Sequence, residues 1–298
     1  MSYKKVLTIQ DISCVGQCSL TVALPIISAC GLECCILPSA VLSTHTGGFT
    51  GYTFRDLTED MPGIAAHWRK EGLCFDALYT GYLGSEKQIG YVLDIMDTLL
   101  APGAYKIVDP AMADNGKLYY GFDDSFVRSM AKLCGKADII LPNITEACFI
   151  TGMEYKQNGY DEAYILELLA KLGALGAKTV VLTGVSYNEK QLGVAVYDAQ
   201  SRNIAYYFHD KLAVSSHGTG DAYASAFTGA LAQGCSVLEA ATIAADFTVE
   251  SIQKTMGDAS HWYGVKFEKA LPMLVEKLSQ QPPLKRSGGL RETVSPVD

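Results

Sequence analysis

The sequence predicts an α/β fold with three layers, in which helices cover both faces of a mainly parallel central sheet. Short apolar runs of strand length alternate along the chain with segments of helical periodicity. Several of these runs are apolar on both faces, which is typical of parallel strands buried between helices. Pro, Gly, Asp or Asn follows most of the runs, as expected where a strand passes into a loop.

The first half of the chain follows this alternation. Lys5–Gln10 is predicted to form a buried strand, and a helix is predicted over 19–30. The run CCILP at 34–38 predicts a second strand. Another strand, which runs into a glycine turn, is predicted over 77–84. Ser85 is expected to cap the next helix. The predicted apolar face of that helix consists of Ile89, Val92, Leu93, Met96, Leu99 and Leu100.

The second half repeats the pattern and then changes it. Strands are predicted over 105–110 and 138–143, each with a proline close to its end. A helix with its apolar face at 165–172 leads to a strand over 179–184. Two further strands within 193–210 are predicted to pair as a hairpin, and three helical stretches follow. One domain over 1–279 is therefore expected, and 280–298, rich in Pro, Gly and Ser, is predicted to be a flexible tail.

Composition excludes several classes of protein. The net charge of −8 argues against a nucleic-acid or anionic-membrane partner, because either surface requires a basic patch. Nine cysteines without a CxxC pair, and five histidines without HExxH, predict reduced thiols rather than disulfides or a zinc site. The apolar stretch 20–42 is interrupted by Pro25, Gly31 and Pro38, which favours a core helix and strand over a membrane span. With no signal peptide in the N-terminal sequence, a cytoplasmic protein is expected.

Polar residues stand where five of the predicted strands end. They are Asp11, Tyr82, Asp109, Asn143 and Thr183. A single polar residue at a strand end usually serves only to form the turn. Ligands of parallel sheets bind beyond the carboxyl ends of the strands, so the convergence of five predicts a site at that edge.

The tetrapeptide GTGD at 218–221 opens a predicted helix. Gly218 and Gly220 allow backbone conformations that turn successive N–H groups inward, and together with Thr219 and the positive helix end they predict an anion cradle. Asp221 would lie in the first turn, as a base for a substrate hydroxyl. The alternative is an acidic residue that merely favours the helix dipole. The motifs GxxxxGK[ST], GxGxxG and GxSxG are absent.

Six stretches together resemble one known family. GTGDAYASAF, TGYLGS, VDPAMADNG, LPNITE, LTIQD and LSTHTGGFTG resemble the ribokinase-like superfamily, specifically its pyridoxal/pyridoxamine (vitamin B6) kinase branch. The resemblance spans nearly the whole chain before the tail. It implies ATP-dependent phosphorylation of the 5′-hydroxymethyl group of pyridoxal, pyridoxine or pyridoxamine, with Mg²⁺ as cofactor and a monovalent cation such as K⁺ as a further candidate. It also implies a homodimer.

The resemblance assigns residues to each part of the site. Asp221 matches the catalytic base, and Gly218, Thr219 and Gly220 match the anion hole. The nucleotide side is assigned to Asp109, Asp114, Asn143, Glu146 and Thr183, of which Asp109, Asn143 and Glu146 are the expected metal site. The vitamin side is assigned to Asp11, His45, Thr46, Tyr82 and Asp221. His45 could equally be a loop residue whose ring nitrogens are satisfied within the protein.

Asp11 departs from the family pattern, because B6 kinases usually carry serine opposite the pyridine nitrogen. A carboxylate there predicts a preference for pyridoxamine or protonated pyridoxine, unless Asp11 is only a turn residue. A hydroxymethylpyrimidine kinase of thiamin metabolism shares the same chemistry and motifs, and stays open as an alternative. A ribokinase-type sugar kinase is less favoured, because DISCVGQCS is too short for the lid strands of those enzymes. Retention of Asp221 disfavours a non-catalytic nucleotide- or B6-binding protein.

Overall fold

The computed structural model describes residues 3–213 and 216–280. Its strands are β1 (Lys5–Ser13), β2 (Glu33–Leu42), β3 (Phe54–Asp56), β4 (Phe75–Thr80), β5 (Leu100–Val108), β6 (Ala113–Asp114), β7 (Lys117–Leu118), β8 (Ile139–Ile140), β9 (Thr179–Val185), β10 (Gln191–Asp198) and β11 (Ile204–Asp210). Its helices are α1 (Leu20–Ala29), α2 (Met61–Lys70), α3 (Glu86–Thr98), α4 (Asp124–Cys134), α5 (Ile144–Thr151), α6 (Glu162–Gly173), α7 (Thr219–Gln233), α8 (Val237–Thr255) and α9 (Leu271–Ser279). Two 3₁₀ turns, Ala259–His261 and Phe267–Lys269, lie between α8 and α9.

Nine strands form one sheet in the order β11-β10-β9-β8-β5-β4-β1-β2-β3. The six strands from β9 to β2 are parallel. The sheet becomes antiparallel at both ends, where β3 pairs with β2 and the predicted hairpin of β10 and β11 joins β9. The predicted mainly parallel, three-layer fold is confirmed. Strands β6 and β7 form a separate two-stranded ribbon in the loop after β5.

Helices cover both faces of this sheet and bury two apolar layers. One layer packs α2 to α6 against side chains such as Leu7, Ile9 and Leu78. The other packs α1, α7, α8 and α9 against side chains such as Val6 and Tyr79. Neighbouring residues of one strand thus face opposite layers, as the period-two geometry of a strand requires.

The structure corrects several predicted boundaries. Leu100, predicted on the face of the helix after Ser85, instead begins β5, which ends at Val108 rather than 110. Two further strand ends change at residues of the predicted site. Strand β1 continues past Gln10 to Ser13, so Asp11 lies inside the strand rather than after it. The pairing of β1 with β2 shifts register between Gln10 and Ile12, which places Asp11 at a bulge. Strand β8 covers only Ile139–Ile140 of the predicted 138–143, because Pro142 has no N–H for the ladder and Asn143 already caps α5.

Side-chain caps define the first residue of several helices. The predicted cap at Ser85 is confirmed: its backbone is extended, and its hydroxyl accepts from the Gln88 N–H at 3.3 Å. Asp123 and Asp161 cap α4 and α6 in the same way. Asn143 and Ser236 form complete capping boxes at α5 and α8.

Across residues 3–213 and 216–280, no helix is both long and apolar enough to cross a lipid bilayer. Residues 281–298 of the predicted tail lie outside the described residues. Gln280 still belongs to the end of α9, because its N–H donates to the Glu276 carbonyl at 3.2 Å.

Ser85→Ala removes the side-chain acceptor of the Gln88 N–H at the start of α3. Because the Gln88 N–H then loses its partner, we expect the free energy of unfolding to fall by about 1 kcal/mol. Urea unfolding followed by circular dichroism measures this change. Ser85→Asp restores an acceptor and should keep the wild-type stability, whereas equal losses in both variants would contradict the capping role.

Candidate active site

The polar side chains predicted at strand ends do converge on one edge of the sheet. Asp11 lies in β1, Tyr82 just after β4, and Asp109 directly after β5. Asn143 follows β8 and forms a parallel bridge to Thr183 in β9. Because these strands are parallel and adjacent, their carboxyl ends face the same cleft.

The first turn of α7 supplies the predicted anion cradle. Gly218 precedes the helix with φ of 76°, and a Cβ at this position would stand 1.7 Å from the Gln17 carbonyl oxygen, so only glycine fits. Gly220, in contrast, has ordinary helical backbone; the predicted left-handed conformation belongs to Gly218 alone. The first intrahelical bond joins the Ala222 N–H to the Gly218 carbonyl, so the N–H groups before Ala222 in the first turn have no partner within the helix and point to where an anion could bind.

Asp221 lies in that first turn, as predicted. Burial raises its pKa from an ordinary 3.8 to about 7, and the charge of Asp11 adds to this effect. A hydrogen bond from the Ser19 backbone lowers it in part. Near neutral pH Asp221 is therefore poised between its ionised and protonated forms.

Asp109 lies close enough to Asp221 for the charge of Asp221 to raise its pKa. Burial, and then the charge of Asp221, raise the pKa of Asp109 to about 7, although Oδ1 accepts from the Ala111 N–H at 3.1 Å. Two such neighbours do not readily ionise together unless a cation offsets their charge.

Glu146 and Asn143 fasten the loop after β5 to the start of α5. The Glu146 Oε2 accepts from the Asn143 N–H at 2.9 Å, and Oε1 accepts from the Met112 N–H at 3.1 Å. Asn143 Oδ1 accepts from the Glu146 N–H, and Nδ2 donates to the Ala113 carbonyl, both at 2.9 Å. Burial and the charge of Asp109 raise the pKa of Glu146.

The donor set of the cleft fits a magnesium ion that keeps most of its water. Four carboxyls, those of Asp11, Asp109, Glu146 and Asp221, lie there, and none takes part in the ion pairs of the described chain. Asn143 and Glu146 already bond to protein groups, which suits them to metal-bound water rather than direct ligation. Among residues 3–213 and 216–280, no three His, Cys, Asp or Glu side chains are placed to hold a metal directly.

Asp11 is held by two serines that the sequence did not single out. Its Oδ1 accepts from the Ser19 hydroxyl at 2.5 Å, and its Oδ2 accepts from the Ser13 hydroxyl at 2.9 Å. Burial raises the pKa of Asp11, and both serines lower it. Ser19 could have been noticed as the residue before a helix, but its contact with Asp11 depends on the bulge in β1.

The other predicted residues of the vitamin side differ in their surroundings. Tyr82 is half-buried, with its ring 5.6 Å from that of Phe122, and burial raises its pKa to about 12. Thr46 is exposed. His45 is buried, its Nδ1 accepts from the Gly47 N–H, and its Nε2 donates to the Tyr263 carbonyl at 2.6 Å. Both nitrogens of His45 are thus used within the protein, and burial lowers its pKa.

Two residues predicted on the nucleotide side are positioned mainly by local bonds. Asp114 is exposed at the end of β6, where its carboxylate accepts from the backbone and side chain of Asn115. The Thr183 hydroxyl donates to the Pro142 carbonyl at 3.3 Å. Neither contacts Asp221 directly.

An aromatic cluster that sequence patterns did not predict closes one side of the cleft. The Phe49 ring lies 5.0 Å from His45 and 4.6 Å from Trp262. The His45 ring also lies 5.3 Å from His217, the residue before Gly218. These contacts join segments about 200 residues apart, so no local pattern could reveal them.

Comparison with known proteins identifies relatives that cover most of the chain. A family model described as phosphomethylpyrimidine kinase matches residues 27–264.

Three relatives illustrate the similarity. A solved structure from Bacteroides thetaiotaomicron, provisionally named a phosphomethylpyrimidine kinase and crystallised with pyridoxal, is 37% identical to this chain with a TM-score of 0.86. It covers 92% of this chain and 96% of that one. Pyridoxal kinase from Lactobacillus plantarum is 31% identical with a TM-score of 0.84, covering 92% and 98%. Hydroxymethylpyrimidine/phosphomethylpyrimidine kinase of Bacillus subtilis is 28% identical over 228 residues, which is 74% of this chain and 79% of the relative.

The raised pKa values predict how stability depends on pH without metal or nucleotide. Asp109 and Asp221 titrate near 7 when folded but near 3.8 when unfolded, so between these values the folded protein binds more protons. The free energy of unfolding should therefore fall, by roughly 1–3 kcal/mol, as pH rises from 5 to 8. Urea unfolding at pH 5 and at pH 8 measures this difference in the free energy of unfolding.

Asp221→Asn is the control for this prediction. Without the second carboxylate, the fall in unfolding free energy between pH 5 and pH 8 should be clearly smaller than in the wild type. An identical fall in the two proteins would show that other groups cause it.

Proposed function

The chain belongs to the phosphomethylpyrimidine kinase family, in the ribokinase-like branch that includes the pyridoxal kinases, and on this premise we propose that it phosphorylates vitamin B6. The reaction transfers the γ-phosphoryl group of ATP to the 5′-hydroxymethyl group of pyridoxal, pyridoxine or pyridoxamine. The observation that carries the proposal is Asp221, held in the first turn of α7 three residues after the left-handed Gly218, in a cleft that also contains the carboxyls of Asp11, Asp109 and Glu146.

The phosphate end of the reaction uses the first turn of α7. Its free N–H groups and the positive helix end stabilise the oxygens of the transferring phosphoryl group. Asp109, Asn143 and Glu146 would hold Mg²⁺, the last two through its bound water, and the ion would supply positive charge that offsets the phosphates and the carboxylates. The cleft suits a cation because none of its four carboxyls is paired with a basic side chain among the described residues.

Asp221 acts on the hydroxyl of the vitamin. In its ionised form it accepts the proton of the hydroxymethyl group as that oxygen attacks the γ-phosphorus. A pKa of about 7 lets it ionise near neutral pH and still hold the proton afterwards. Burial keeps this pKa high, and the charge of Asp11 adds to the effect.

The vitamin lies, in this proposal, between Asp11 and Tyr82. The Tyr82 ring can pack against a pyridine ring, and the carboxyl of Asp11, held by Ser13 and Ser19, can pair with a protonated ring nitrogen or an amine. This arrangement supports a preference for pyridoxamine or protonated pyridoxine. Pyridoxal bound to the Bacteroides relative is consistent with a B6-sized pocket in the family.

Hydroxymethylpyrimidine phosphorylation is the second candidate. It is favoured by the description of the matching family and by the Bacillus relative, both named for pyrimidine substrates. The phosphate end and Asp221 would act identically, so only the vitamin side separates the two activities. Assembly as a homodimer, a cytoplasmic location and a K⁺ requirement stay predictions.

The deciding experiment supplies the purified protein with MgATP and four acceptors: pyridoxal, pyridoxine, pyridoxamine and hydroxymethylpyrimidine. Efficient phosphorylation of a B6 vitamer supports the proposal. Phosphorylation of the pyrimidine alone would replace it with the second candidate, and transfer to none of the four would overturn both.

Asp221→Asn tests the role of the proposed base. The amide cannot accept the hydroxyl proton, so we expect kcat to fall by about 10²–10⁴-fold while the affinity for ATP changes little. Steady-state kinetics and nucleotide titration measure the two quantities. Asp124→Asn, which alters an acid in the first turn of α4, should keep wild-type kcat; comparable losses in both would reduce Asp221 to a helix-dipole residue.

Asp11→Ser tests the origin of vitamer preference. Loss of the carboxylate should lower kcat/KM for pyridoxamine relative to pyridoxal by roughly three- to tenfold, because a cationic amine loses its partner. Ser13→Ala keeps the carboxylate and should keep the wild-type ranking. An unchanged ranking in Asp11→Ser would remove this specificity role.

A further inference from the structure

A strip of polar side chains is buried between α7 and the sheet, directly below the first turn of that helix. We call it the buried polar strip; its members are Thr8 and Gln10 of β1, Tyr79 of β4, and Ser225 and Thr228 of α7. Each of the five has 0% of its surface exposed. The side chains around them are otherwise apolar.

Strand geometry places three members side by side. Thr8 pairs with Tyr79 in the parallel register of β1 and β4. Gln10 follows Thr8 by two residues and so faces the same side of the sheet. The Gln10 Nε2 donates to the Thr8 hydroxyl at 2.8 Å, which fixes the amide within this layer.

Helix geometry supplies the other two members. Asp221, Ser225 and Thr228 are spaced by four and three residues, so they lie along one face of α7. Ser225 and Thr228 are fully buried, whereas Asp221 reaches the cleft. The buried polar strip therefore extends from the proposed catalytic base into the interior.

Four atoms of the strip lack a hydrogen-bond partner among residues 3–213 and 216–280. They are Gln10 Oε1, Tyr79 OH, Ser225 Oγ and Thr228 Oγ1. Ser225 and Gln10 lie near enough to Tyr79 to lower its pKa, but the contacts do not have hydrogen-bond geometry. Buried polar atoms are seldom left unpartnered, and clusters of them commonly bind ordered water.

The strip is also in electrostatic contact with the cleft. After burial, the charges of Asp109 and Asp221 are the next largest causes that raise the pKa of Tyr79. A Cβ at Gly81 would stand 2.3 Å from Gln10 Oε1, so the glycine after β4 makes room for this amide. Within residues 3–213 and 216–280, the Ser19 backbone is the protein donor that lowers the pKa of Asp221.

We propose that the buried polar strip binds ordered water between Tyr79 OH, Ser225 Oγ and Gln10 Oε1, and that this water orients the Asp221 carboxyl. Tyr79 is then a positioning residue, which acts on the reaction through Asp221 without contacting the substrate. The kinetic part of this inference rests on the proposed kinase function; the water site does not.

Tyr79→Phe removes the hydroxyl and keeps the ring that fills the core. We expect kcat for the preferred acceptor to fall about tenfold, because the base loses its fixed orientation, with KM for ATP and acceptor within about twofold of wild type. A purely structural role would not separate kcat from KM in this way.

Tyr223→Phe is the matched control. Its hydroxyl is also buried and unpartnered on α7, but burial alone raises its pKa, with no contribution from a carboxylate of the cleft. This variant should keep wild-type kcat. Equal kcat values in Tyr79→Phe and Tyr223→Phe would overturn the positioning role.

A high-resolution crystal structure tests the water site independently of activity. Ordered solvent should bond to at least two of the three named atoms in the wild type and be lost or displaced in Tyr79→Phe. A strip free of solvent density would overturn the inference even in an active enzyme. Inactivity of the wild type towards all four acceptors would instead refute the proposed function, and the crystallographic result would still decide on the water.

Discussion

Uncompensated negative charge at the carboxyl edge of the sheet is the constraint on which the site depends. Two of its four carboxyls have a protein donor on each oxygen: serine hydroxyls bind Asp11, and backbone N–H groups bind Glu146. Burial raises the pKa values of the other two, Asp109 and Asp221, and the charge of Asp221 raises that of Asp109 further. Such a cleft favours a ligand that brings a cation with it, and a metal-bound nucleotide is a ligand of this kind.

The topology explains why these groups meet where they do. From β1 the chain proceeds to β2 on one side and later returns to β4 on the other, so the strand order changes direction between β1 and β4. Loops that leave neighbouring strands in opposite directions open a crevice at this point. Asp11 and Tyr82 flank it, and α7 completes its far wall. The carboxyl edge of the sheet thereby becomes a candidate binding site without any special secondary structure.

Most of the strands and helices were predictable from local patterns. The details of the site depended on contacts between distant segments. Apolar periodicity identified the strands and helices, and the Ser85 cap followed from residue type alone. The bulge at Asp11 could not be predicted, because it arises from the register of β1 against β2. Gly218 and Gly220 look equivalent in the sequence, yet only Gly218 meets a carbonyl from a segment 200 residues earlier. The site-residue roles themselves stay predictions.

That close approach of Gly218 to the Gln17 carbonyl has a consequence for ligand binding. The Gln17 side chain donates to Glu268 at 2.9 Å, so the loop between β1 and α1 is fixed to α7 on one side and to the C-terminal segment on the other. The same loop ends at Ser19, which holds Asp11. Asp11 and the first turn of α7, which the proposed function assigns to the two ends of the substrate, are therefore held by one loop. Ordering them costs little conformational entropy when ligands bind, and more of the contact energy remains as affinity.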